Sequence, residues 1–161
     1  EAENAGHGVS NERQMAEGEM IVTRLADENP DRIEEYRKMS AAIGGVEQST
    51  RAIIEIQVRY MMAAMAAGAS DIQYSEAELR EILSQQSDQL ANAISTSGIF
   101  GSAYVYQSFS DEEVVAYRKA LEDPQMQQVY EILNGIQYEI MGDRYETLAA
   151  RLADLSPQTD I

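Results

Sequence analysis

The chain of 161 residues carries 28 acidic side chains against 12 basic ones, a formal charge of −16, with no cysteine and a single histidine. That excess repels nucleic-acid phosphates and anionic lipid surfaces, both of which are bound through clustered Lys and Arg. The missing cysteines and histidines exclude disulfides, thiolate nucleophiles, zinc–thiolate sites, iron–sulfur clusters and histidine cages.

The length is a prior for one domain, with a core large enough to need no covalent staple. The longest uncharged apolar run, 60–69, falls well short of the ~20 residues of a membrane-spanning helix. We therefore expect a polar, disordered tail over 1–9, EAENAGHGV, and a single all-α domain over 10–157. This domain would be an irregular bundle of six to seven helices with a long C-terminal helix. His7, alone in the tail, is given no role.

The first helix is expected over 11–28, burying Met15, Met20, Ile21, Val22 and Leu25 at helical spacing. Asn29-Pro30 then supplies a capping side chain and a preset first helical φ, with Asp31 in the first turn. This second helix carries Ile33, Tyr36, Met39 and Ile43 and stops at Gly44-Gly45. A third, over 46–67, sets Glu47, Arg51, Glu55 and Arg59 at four-residue intervals with alternating sign. Such a stripe reads as a solvated face of i,i+4 pairs. Its other side holds Ile53, Ile54, Val58, Met61, Met62 and Met65.

Two capping boxes follow, 35 residues apart. In Tyr74-Ser75-Glu76-Ala77-Glu78-Leu79 and Phe109-Ser110-Asp111-Glu112-Glu113-Val114 the serine accepts from the backbone of the glutamate three residues on, which reaches back to it. Beyond the caps the two segments share almost nothing, so they are not copies of a solenoid repeat. A helix is expected over 76–96, ending near Gly98, with Leu79, Ile82, Leu83, Leu90 and Ile94 inward. The stretch 99–109 suits strand or short helix; with no second strand candidate to pair with, helix is chosen.

The next helix covers 111–122 and buries Val114, Tyr117 and Leu121. Asp123-Pro124 ends it and caps the last and longest helix, ~48 Å at 1.5 Å per residue. There Met126, Val129, Leu133, Ile136, Ile140, Tyr145, Leu148, Leu152 and Leu155 form the expected inward stripe, up to Ser156-Pro157. Gly135, Gly142 and Ala149 recur every seven residues on one face. Each glycine weakens the helix by about 1 kcal/mol relative to alanine, which close approach by a neighbouring helix would offset; a kink is the alternative.

Residues 104–155 resemble the C-terminal part of the bacterial domain of unknown function 2059 family. The likeness lies in Phe109, Ser110, Glu113 and Val114, followed by a helix, the break at Pro124 and a final amphipathic helix. The family's aromatic pair, serine and glycine around the break are Ala120-Leu121, Asp123 and Met126 here. The resemblance implies a periplasmic or otherwise exported helical protein and assigns no catalytic residue; with it we expect that a signal peptide was removed ahead of Glu1.

No catalytic, cofactor-binding or metal-ligating residue is assigned from the chemistry either. A triad lacks its base, since His7 lies in the tail. Gly98-Ile99-Phe100-Gly101 lacks the lysine and preceding strand of a phosphate loop. Among the acids only Glu55, between Ile54 and Ile56, comes near an apolar context that would raise its pKa, and it belongs to the charged stripe. We expect no enzyme and no cofactor, but a binding or protein-interaction module, with a protein partner or a homodimer formed through the small-residue face of the last helix. The rival is a carrier of a small apolar ligand or Cu(I), using Met61, Met62 and Met65 and the Met/Tyr-rich side of the third helix.

Overall fold

The computed structural model describes residues 9–68 and 73–155, the side chains of 153–155 excepted. His7 and the Ser156-Pro157 stop lie outside the described residues. These contain seven helices and no strand: α1 (Asn11–Glu28), α2 (Pro30–Ala42), α3 (Gly45–Ala66), α4 (Glu76–Ser84), α5 (Ser87–Val105), α6 (Asp111–Leu121) and α7 (Pro124–Leu155).

Three of the four expected caps are made, and one that was not expected opens α1. Ser10 accepts from the amide of Arg13. Ser75 and Ser110 close complete boxes with Glu78 and Glu113, the glutamates returning 2.8 Å bonds to the serine amides. Asp123 accepts from the Gln125 amide at 2.8 Å. Asn29 departs from expectation: its side chain caps nothing and donates to Asp111 Oδ2 instead. Gly44 takes φ 65°, a left-handed turn that only glycine enters cheaply, between α2 and α3.

The helix expected over 76–96 is two. Ser84 Oγ bonds the Glu81 carbonyl, and the Gln86 amide reaches back only three residues, to Leu83. The chain tightens through Gln85-Gln86 before α5 begins. Nor does the helix end near Gly98. No left-handed φ occurs there, and α5 runs on to Val105, taking up most of the stretch 99–109 as helix.

Contacts gather the described residues into two compact units, 9–47 with 91–131, and 48–90 (less 69–72) with 132–155. In the first unit α2 packs on α1 and α6. Its core is Leu25, Ile33, Tyr36, Met39, Ile99, Ala103, Val114 and Leu121. Met20, expected inside, is exposed. It lies two residues, about 200° of helix, from Gly18, the α1 residue against which the Phe100 backbone is pressed. Arg32 ties this unit together by donating to Tyr36 OH, Asp111 Oδ1 and the carbonyls of Tyr106 and Phe109, all within 2.8 Å.

The second unit buries Ile56, Val58, Leu79 and Ala149. Ile82, expected inward on α4, is exposed. Glu55 and Arg59 do not form the solvated i,i+4 stripe foreseen for α3, because each is taken by a different helix. Arg80 of α4 grips both oxygens of Glu55, and Arg59 turns to α7. The Glu55 carboxyl is accordingly held below its usual range by the Arg80 hydrogen bonds, the reverse of the upward shift its apolar neighbours suggested.

Candidate functional site

Three places bring chemistry-bearing side chains together. Between α2 and α6 lies a cleft of 370 Å³ lined by Arg32, Glu35, Lys38, Asp111 and Val114 among others. Its charges close on one another: Arg32 on Asp111 at 2.6 Å, and Lys38 and Arg118 on Glu35 at 2.8 and 2.9 Å. The Asp111 carboxyl is held below its ordinary range by its bonds from Arg32 and Asn29, and that of Glu35 by Lys38 and Arg118. Carboxylates ionised at neutral pH have no proton to donate, and paired ones are poor bases. Beside this, the Tyr117 ring lies 5.3 Å from that of Tyr106, tilted by 46°. Burial, then hydrogen bonds with Tyr130 and Tyr106, pushes its phenol pKa up, so it stays neutral.

The second place is the methionine cluster of α3. Met61, Met62 and Met65 are half-buried, and Met65 Sδ accepts from the Tyr74 backbone N–H at 3.4 Å. Among the described residues no group of three His, Cys, Asp or Glu is placed to hold a metal ion.

The third is α7 from Ile132 onward, where the sequence expectation inverts. The side toward α3 carries Asn134, Tyr138, Gly142 and Glu146. Asn134 donates to Gln48, and Tyr138 hydrogen-bonds Ser49. Tyr145 stands edge-on to Tyr60 at 6.2 Å. Arg59 gathers three α7 carboxylates: Glu146 at 2.6 Å, Asp143 at 2.7 Å and Glu139 at 3.3 Å. Its hydrogen bonds to Glu146 and Asp143 raise its pKa further above the usual guanidinium value.

Meanwhile the stripe expected to face the core is outside. Ile132, Leu133, Ile136 and Ile140 are 54, 55, 55 and 46% exposed, and Met126, Val129, Tyr145, Leu148 and Leu152 are exposed as well. At 100° per residue, Leu133, Ile136 and Ile140 lie roughly opposite Tyr138, Gly142 and Ala149. The reason is electrostatic and steric. The Arg59 side chain is only 21% exposed, and desolvating it without carboxylates would be costly. The acids of α7 turn to it, and Gly142 makes room: a Cβ there would overlap the guanidinium.

The small-residue face thus meets α3 of the same chain at Gly142, and Ala149 is buried, so neither is free for a second copy. A Cβ at Gly135 would meet nothing beyond its own helix within 4 Å. Sequence reading missed the outward stripe because α7 is apolar on one side and small or hydrogen-bonded on the other. Amphipathic reasoning assigns the apolar side inward. The signal that would have found it is Glu139, Asp143 and Glu146, spaced four and three along one face, as acids able to meet Arg59 of α3.

No helix of the described residues is long and apolar enough to cross a membrane. No family model, curated protein or solved structure matches the chain.

Proposed function

We propose that this chain is a non-enzymatic protein-interaction module whose docking face is the outward side of α7. The observation that carries the reading is the half-exposed quartet Ile132, Leu133, Ile136 and Ile140, turned away from α3. Contiguous apolar surface on a chain this charged marks a place where another protein sits, and an apolar stripe at helical spacing fits a partner helix. Burying four half-exposed side chains is worth about 1 kcal/mol each, enough for a reversible complex once the cost of association is met. An exported location is proposed with it, supported by the resemblance over 104–155.

Capture of partners from the native envelope tests the reading, with Ile136→Asp as the contrast. The side chain is half outside, so the variant keeps the helicity and thermal midpoint of the parent while losing what the parent captures. Equal capture by both overturns the proposal. The carrier alternative is supported only by the proximity of Met61, Met62 and Met65 along α3. Cu(I) uptake that disappears in their triple Leu variant would move the assignment there.

A further inference from the structure

We infer that the occupant of the outward face of α7 is a second copy of this chain, paired parallel and in register; the inference rests on reading that face as a docking surface. With Leu133 and Ile140 at a positions and Ile136 at d, Arg144 and Arg151 fall at e, and Glu139 and Glu146 at g. The apolar stripe therefore has a basic flank and an acidic flank. In a parallel pair each g residue faces the e residue five positions on in the partner. Glu139 then meets Arg144 of the second copy and the two-fold axis repeats the pair, while Glu146 stays on Arg59 at 2.6 Å. Antiparallel pairing would set arginine against arginine and acid against acid.

Three observations favour this occupant. Arg144 and Arg151 have no ion pair among the described residues, whereas Arg59 of α3 has three, all to acids of α7. The Glu139 side chain is 70% exposed, with room for a second cation. Residues 132–138 carry no charge in a chain that is 25% charged, so two copies of a −16 molecule approach there without opposing like charges. Asp143, at a d position, is the one like-charged contact with its own copy, and Arg59 holds it at 2.7 Å.

Sedimentation equilibrium of the whole chain, at low and high salt, tests the pairing. We expect a monomer–dimer equilibrium that Arg144→Glu and Glu139→Lys each weaken about tenfold at low salt, and that mixing the two variants restores. Asp143→Asn, which still accepts from Arg59, tightens it. Because the chain lacks cysteine, Leu133→Cys and Ile140→Cys, made separately, each form an interchain disulfide on oxidation only if the helices run parallel and in register. A chain monomeric up to about 1 mM overturns self-pairing, while the docking reading stands if Ile136→Asp still abolishes capture of another protein. A dimer indifferent to the charge variants, or cross-linked at one cysteine only, also overturns it. Self-association that survives Ile136→Asp, with partner capture unchanged, removes both.

Discussion

Gly18 and Gly135 sit inside helices at the same nominal propensity cost, and their surroundings give them opposite roles. A Cβ on Gly18 would collide with the backbone carbonyl of Phe100, whereas one on Gly135 would meet open space. Gly135→Ala is therefore expected to stabilise by up to about 1 kcal/mol. Gly18→Ala should destabilise by about 1–3 kcal/mol, overpacking outweighing the gain in propensity. Urea midpoints of the two variants decide it. Arg32 makes a comparable case for shape over charge. Its planar fork reaches two carbonyls, a phenol and a carboxylate at once, which a lysine ammonium cannot do. Arg32→Lys should lose most of the stability that Arg32→Met loses, about 3 kcal/mol or more, read as a drop in thermal midpoint for both.

Helix starts were legible because a cap is a local device. Ser75 with Glu78, Ser110 with Glu113 and Asp123 before Pro124 each complete their bonds within three residues, so neighbouring sequence suffices to predict them. Ser75→Ala and Ser110→Ala are each expected to cost about 1 kcal/mol, against nearly nothing for Asn29→Ala as a cap. Any loss at Asn29 belongs to its bond with Asp111, and a double-mutant cycle with Asp111→Ala separates the two. What escaped local reading depends on partners far along the chain. The split at Gln85-Gln86 comes from a serine competing for a carbonyl, and the helix passes Gly98 because no left-handed residue stops it. The orientation of α7 turns on Arg59, some eighty residues earlier. The candidate face was visible as a stripe but assigned to the wrong side.

At the scale of the whole molecule, 28 acids and 12 bases leave at least sixteen carboxylates without a cation of their own. Self-repulsion then opposes the folded state, and 0.5 M NaCl should raise the thermal midpoint above its value in dilute buffer. Surface pairs weakened by the same salt contribute too little to reverse the sign. Acid acts the other way. Glu35, Glu55 and Asp111 all have folded pKa values below their unfolded ones. Their contribution is complete above the ordinary carboxylate range near pH 4 and is lost as pH falls through the lowered folded values. Urea midpoints should therefore fall from pH 5 to pH 3, and the fall should shrink in Glu35→Gln.

The first unit is assembled from two stretches of chain, 9–47 and 91–131. During synthesis Leu25, Ile33, Tyr36 and Met39 leave the ribosome without Ile99, Ala103, Val114 and Leu121, the partners that complete their cluster. At about 5–20 residues per second the wait between residues 47 and 131 lasts roughly 4–17 s. The nascent N-terminal helices thus spend seconds with unsatisfied apolar faces, which makes them natural clients for a chaperone and sets translation speed as a determinant of yield.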